Sequence, residues 1–391
     1  MNSKSALLIV ERNFFQTHVG VKRVIHHYWH LLLQEGYSVT LASPINGKLS
    51  SCCQTVAYDL MKKESISSIN LKPTWRSTYP TSEIVITETD PPLLKYSDDI
   101  WNSSDNISPE EYTISIITTP WMCTGIDNLP EAKYSIGIVY DMVPNLLAIG
   151  ALRMPRFVNA YEFAYRHSLG YDFYLKHVEK IVCISESTKN DFISFYQDRI
   201  ASPLTVSIPF EDFGNGIVSN TPSNTVLLIN VLDHRKNFTA VASAIKSASS
   251  KIPLKLIIVG KERMSLKDVT DFFDEISSTC ETVEWFRSPN DIQLEQLMSK
   301  SNILFFPSFY EGLGLPILEA QAKGLPVISS NNSSCKEINL NPELTAEPSD
   351  HSKFAVLLKE VLTGSRTVLK GEELRSAQIT FLNTVNSLNV F

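Results

Sequence analysis

Cysteine is scarce and scattered in this chain of 391 residues. The six cysteines (Cys52, Cys53, Cys123, Cys183, Cys280 and Cys335) contain no Cys-x-x-Cys pair. That spacing argues against a disulfide framework or a cysteine zinc site and fits a reducing compartment. Asp-x-Asp, the usual metal-bridging signal for a diphosphate, does not occur. No apolar run approaches the roughly 20 residues of a membrane span. Ala6-Leu7-Leu8-Ile9-Val10 is too short for a signal-peptide core. No block of Lys and Arg exists either: 35 basic residues stand against 42 acidic ones, for a net charge of −7. That balance argues against a nucleic-acid binder. These absences predict a soluble, cytoplasmic protein with no cofactor and no metal.

What is present is apolar and aromatic: 43% hydrophobic residues, with 19 Phe, 14 Tyr and 5 Trp. The length suggests two domains with real cores. Short β-branched runs recur with helix-length segments between many of them. The first series is Ala6–Val10, Ser38–Ala42, Ile84–Thr87, Ile114–Thr118, Ile136–Val139, Ile181–Ile184 and Thr205–Ile208. The second is Val226–Val231, Leu256–Val259, Val283–Phe286, Ile303–Phe306 and Val327–Ser329. Continuous apolar runs suit strands buried on both faces, and strand alternating with helix predicts parallel sheets in an α/β fold. Between the series, Phe210–Ser223 has the Gly, Asn, Ser and Pro content of a linker. The expected division is 1–210, 211–370 and a terminal helix at 371–391 that packs back on the first domain. Two such domains place a ligand in the cleft between them, at the carboxyl ends of the strands.

The most informative stretch runs from Ile303 through Glu311-Gly-Leu-Gly-Leu-Pro-Ile-Leu-Glu319 to Gly324. A strand ends near Pro307, a glycine loop follows, and a helix starts near Pro316. Gly312 and Gly314 leave backbone N–H groups open to a polar ligand at the helix N-terminus. Spacing alone fits an ordinary strand-to-helix turn with two solvated glutamates equally well. A dinucleotide fingerprint fails, because Ile317 occupies its third glycine position. A second stretch, Val226–Phe238, carries Asn230, Arg235, Lys236 and Asn237 after a strand. Arg as a planar fork and Lys as a point charge suit a diphosphate, and equally a solvated charge pair.

Together these stretches resemble the retaining nucleotide-sugar glycosyltransferases of GT-B fold, the large "glycosyl transferases group 1" family. Glu311 and Glu319 are similar to its Glu-x7-Glu motif, and Arg235-Lys236-Asn237 to its Arg-Lys-Asn element. The resemblance implies two Rossmann-like domains facing across a cleft. It implies that Arg235 and Lys236 hold the donor pyrophosphate, that Glu311 contacts the donor sugar and that Glu319 binds the ribose. Gly314 and Leu315 would present loop amides to the donor. Gly20, within Phe14–Arg23, resembles the glycine loop facing the leaving phosphate. Ile136–Pro144 resembles a strand ending in His-Asp, with Tyr140 replacing the histidine and Asp141 kept as an acceptor-side group. Asn230 stands where the family has glycine, and Arg287 where glycine is usual.

The function implied is metal-independent transfer of a sugar from a nucleoside-diphosphate sugar, with a lean toward GDP-mannose. The acceptor would be a glycan or lipid-linked molecule in bacterial surface polysaccharide synthesis. An alternative is an inactive relative acting as a sugar-nucleotide-binding or scaffold subunit, motivated by Tyr140 and Asn230. Ser185 reads as a helix N-cap. The segment from Arg153 to Lys180, where Arg153, Arg156, Arg166, Lys176, His177 and Lys180 interleave with aromatics, suits peripheral contact with an anionic membrane. It suits a solvated helical face over an aromatic core as well.

Overall fold

The structure is a computed structural model that describes residues 4–14, 19–61, 75–79, 82–87, 98–101, 112–126, 129–152, 160–210, 224–250 and 252–386. The chain opens with β1 (Ser5–Ile9), α1 (Val19–Gln34), β2 (Ser38–Ile45), β3 (Lys48–Ser51), α2 (Gln54–Leu60), β4 (Trp75–Tyr79) and β5 (Ser82–Thr87). It continues through β6 (Tyr112–Ile117), β7 (Ala132–Val139), α3 (Val143–Ala148), α4 (Ala160–His177), β8 (Lys180–Cys183), α5 (Glu186–Tyr196) and β9 (Leu204–Val206). Strict alternation follows: β10 (Thr225–Ile229), α6 (Phe238–Ser249), β11 (Lys255–Val259), α7 (Leu266–Ser277), β12 (Thr282–Phe286), α8 (Asp291–Ser299) and β13 (Ile303–Phe306). The last elements are α9 (Leu315–Ala322), β14 (Val327–Ser330), α10 (Ser333–Ile338), β15 (Thr345–Ala346), α11 (His351–Leu362) and α12 (Gly371–Asn386).

These strands form two sheets, ordered β3-β2-β1-β6-β7-β8-β9 and β15-β14-β13-β10-β11-β12-β5-β4. All pairings are parallel except the hairpins β2–β3 and β4–β5. Every apolar run read from the sequence is a strand. One sits in the other sheet: Ile84–Thr87 belongs to β5, which pairs parallel with β12. This hairpin crosses the division proposed at residue 210. From residue 211 to 223, the linker read from the sequence lies outside the described residues.

The continuous apolar runs are buried on both faces because successive side chains point to opposite sides of a strand. In β10, Val226 and Leu228 enter a core with α6 and α11, while Leu227 and Ile229 enter the opposite one. In β1, Leu7 and Ile9 pack with Tyr171 and Tyr174 of α4 and Phe192 of α5. Ala6 and Leu8 join a core that continues into the second domain through Leu304 and Phe306 of β13 and Ile317 and Leu318 of α9. The side-chain amide of Asn386 on the terminal helix ties the halves further. Asn386 of α12 accepts from the Ile208 N–H at 3.0 Å and donates to the Ile208 carbonyl at 3.1 Å. Among the described residues no helix is long and apolar enough to cross a membrane. All six cysteines are free.

Candidate functional site at the carboxyl ends of two facing sheets

The cations of the second domain lie just past β10, in a 3-10 turn at His234–Lys236. Asp233 caps this turn, its carboxylate accepting the Arg235 N–H at 2.9 Å and lying 3.5 Å from the guanidinium. Asn237 then takes a left-handed φ of 58°, and its amide donates to the carbonyls of Pro307 and Pro348 at 3.1 and 2.7 Å. An Asn tolerates that conformation and fixes the turn against the loop after β13. Asn230 likewise takes φ 55°, so the position where glycine is usual keeps the backbone shape glycine would give.

Lys236 is buried, forms an ion pair with Glu311 and lies 4.5 Å above the Phe306 ring. The Glu311 backbone is held by two serines at the start of α10: its N–H donates to Ser333 Oγ at 3.1 Å, and its carbonyl accepts from Ser334 at 3.0 Å. Burial works against the Arg235 charge, but the carboxylates of Glu311, Asp233 and Asp141 more than offset it and hold its pKa above the usual guanidinium range. Arg235, past β10, and Asp141, past β7, therefore lie within electrostatic reach of one another. Gly314 begins α9 at φ 87°, a left-handed value suited to glycine. Leu315 opens the helix, and a Cβ on Gly20 would lie 3.7 Å from its side chain, which brings the two predicted donor loops together.

From the first domain, the β7 end supplies Tyr140 and Asp141. A Cβ at Gly312 would stand 2.2 Å from the Tyr140 carbonyl oxygen and 2.9 Å from Asp141 Cβ, so only glycine permits this approach. Ser185 caps α5, accepting from the Thr188 N–H, as the sequence predicts. It also donates to the Gly312 carbonyl at 2.6 Å, joined by Thr188 at 3.1 Å. Beside this seam the Glu337 carboxylate accepts the N–H groups of Glu186 and Ser187 at 3.0 and 3.2 Å.

Around Asp141 the first domain gathers groups that spacing did not reveal. His167 of α4 stacks on Trp121 at 5.2 Å, and Trp121 lies 6.0 Å from the Tyr140 ring. Burial lowers the His167 pKa against the opposing pull of Asp141. Asp191 is pushed up to about 6 by burial and by Asp141. Glu11, just past β1, is pushed up to about 7 by burial. Tyr140 is held well above the usual phenol range by burial, then by Tyr28 and Glu11.

Glu319 does not share the Lys236 cluster. It is buried within α9 and ion-paired with Arg23 of α1, which also pairs with Asp291 at the start of α8. These residues border a cleft that includes Phe210, Leu294 and Met298. Arg23 reads in sequence as an ordinary cation in an amphipathic helix.

Arg287, by contrast, meets Glu262 at 2.6 Å and lies 5.6 Å from the Trp285 ring. Of the basic and aromatic segment, Arg153 and Arg156 lie outside the described residues. Within α4, Tyr161, Phe163 and Tyr165 are exposed, whereas Tyr171 and Tyr174 are core. Among the described residues no three His, Cys, Asp or Glu side chains gather as a metal site.

Residues 210–378 match the family described as "Glycosyl transferases group 1". The chain is 45% identical over 60 residues to the O-antigen chain mannosyltransferase B of Escherichia coli, covering 15% of this chain and 16% of that protein. Over 272 residues it is 21% identical to the serotype-specific mannosyltransferase WbdA of Escherichia coli, covering 64% of this chain and 31% of the relative. The chain thus spans less than a third of the length of either curated relative. Its fold is similar to that of the pneumococcal O-GlcNAc transferase GtfA solved with UDP and GlcNAc, at TM-score 0.59 and 10% identity, covering 98% of this chain and 96% of that one. The two facing sheets and the solved structure lead to one assignment, the GT-B fold, within which residues 210–378 match the glycosyl transferases group 1 family.

Proposed function

We propose that the chain is a retaining glycosyltransferase that moves a sugar, mannose by preference, from a nucleoside-diphosphate sugar to a glycan or lipid-linked acceptor in bacterial surface polysaccharide synthesis. The observation that carries this reading is the buried Lys236–Glu311 pair beside Arg235, at the carboxyl ends of β10 and β13 and opposite Asp141. The mannosyltransferase names of the O-antigen relatives support the choice of sugar. Departure of a nucleoside diphosphate builds negative charge on its phosphate, which Arg235, Lys236 and the α9 N-terminal amides stabilise in a partly desolvated cleft. Glu311, locked by Ser333 and Ser334, orients the donor sugar. Attack proceeds on the face the diphosphate leaves, and the departing phosphate takes the acceptor proton. Asp141 holds the acceptor, and no metal takes part.

The test is incubation with GDP-mannose, with UDP- and dTDP-sugars in parallel, and a lipid-linked glycan primer, with and without EDTA. Transfer that survives EDTA and keeps the anomeric configuration supports the reading. Inversion of configuration, or loss restored by a divalent ion, overturns the mechanism. Donor binding without turnover identifies a scaffold subunit instead. Peripheral membrane contact through the exposed Tyr161, Phe163 and Tyr165 beside Arg166 belongs to the same proposal. Flotation with anionic liposomes tests it; absence of salt-sensitive binding overturns it.

A further inference from the structure

Glu319 is the carboxylate that the family resemblance gives to the donor ribose, and it is already engaged. The guanidinium of Arg23 crosses from the first domain, one arm on Glu319 and the other on Asp291. Glu319 and Arg23 are 7% and 12% exposed, whereas Asp291 is 55% exposed. The Glu319 arm is thus desolvated and the Asp291 arm is wet. A planar guanidinium can hold two carboxylates at once, and it can keep one while releasing the other. The first turn of the same helix packs on the donor loop, where Gly20 meets Leu315. Arg23, Asp291 and Glu319 line one cleft with Leu294 and Met298.

The geometry points to Arg23 as an internal competitor for the ribose subsite. In the unliganded chain it neutralises the buried Glu319 carboxylate, which would be costly to leave unpaired. When a nucleoside diphosphate enters, its ribose hydroxyls donate to Glu319, and Arg23 pivots away on Asp291. Arg23 belongs to one domain and both acids to the other, so donor binding removes one arm of an interdomain latch. This inference rests on the proposed donor site and adds a device that sets its affinity.

The experiment compares binding of nucleoside diphosphates (GDP, UDP and ADP) with binding of inorganic pyrophosphate, which has no ribose, by titration calorimetry on the full chain. Arg23→Gln should tighten the preferred nucleoside diphosphate by about tenfold, within the range of ordinary coupling between sites. Pyrophosphate binding should not change. Asp291→Asn removes the resting place of Arg23 and should weaken the nucleotide severalfold, the opposite sign. Unchanged or weaker nucleotide binding in Arg23→Gln overturns the inference, as does equal tightening of pyrophosphate. If Arg23→Gln fails to fold, the sign in Asp291→Asn decides. No nucleotide binding by any variant, wild type included, overturns the donor-site reading itself.

Discussion

Asn230 and Gly260 are fitted to each other at the ends of adjacent strands. Asn230 takes φ 55°, and its Oδ1 lies 2.3 Å from where a Cβ on Gly260 would be, with Asn230 Cα at 3.2 Å. Gly260 itself has φ 112°, which L side chains rarely adopt. Gly260→Ala should therefore cost about 1–3 kcal/mol, the scale of a forced unusual backbone conformation. Asn230→Gly should be tolerated, because glycine takes the same φ without strain. Adding Asn230→Gly to Gly260→Ala should recover only part of the loss, since it relieves the side-chain clash and not the φ. Thermal unfolding of the three variants checks this, and full recovery in the double variant would contradict it.

The Lys236–Glu311 pair makes a prediction that separates stability from chemistry. Lys236 is buried and Glu311 nearly so, at 9% and 11% side-chain exposure, so removing either leaves the other charge poorly solvated and unpaired. Each single substitution to Ala should cost about 3–5 kcal/mol, and the double variant less than the sum. Turnover should behave differently. Arg235→Ala or Lys236→Ala should lower it by about 10²–10³-fold, the scale for losing one stabilising donor of developing negative charge. Glu311→Ala should lower it strongly and the double variant should not recover it. Normal turnover in the folded Arg235 and Glu311 variants would remove both residues from the site.

Gly312 joins the two domains through a contact that leaves no room for a methyl group. Gly312→Ala should push the donor loop off the Tyr140–Asp141 turn and strain the bonds from Ser185 and Thr188 to the Gly312 carbonyl. The cations proposed to hold the diphosphate, Arg235 and Lys236, lie in the second domain, so the nucleotide binding constant should change little while turnover falls by about 10²-fold, as expected when reacting groups are misplaced. Calorimetry for the nucleotide and a rate assay for transfer distinguish this from general unfolding.

Local features were legible wherever the chemistry is local. Continuous apolar runs named the strands, and proline and glycine placed α9 between Gly314 and Gly324. The Ser185 cap was readable from its helix start. The hairpin partners β3 and β4 were not, because their short polar or mixed sequences lack the buried-strand pattern. Nor did the run Ile84–Thr87 say which sheet it would join, since parallel neighbours leave no mark in the sequence. Arg23, Trp121 and His167 escaped for a related reason: each looks ordinary within its own helix or turn, and acquires a partner only when distant segments meet.

Glu11 supplies a pH-dependent prediction. Burial beside Tyr140 raises its carboxyl from 4.5 to about 7, so the folded chain binds its proton more tightly than the unfolded chain does. Linkage then fixes the sign: stability from this group is fully present below about pH 4.5 and is lost as pH rises through about 7. Glu11→Gln keeps the shape and removes the titration. Relative to the variant, the wild type should lose stability between those two pH values and stay level above them. Denaturation midpoints of both proteins, taken at half-unit steps from pH 4 to pH 8.5, measure the difference directly. A constant difference across that window would show that Glu11 titrates as an ordinary solvated carboxylate, and a difference that grows in favour of the wild type with rising pH would mean that a cation reaches it in the folded chain.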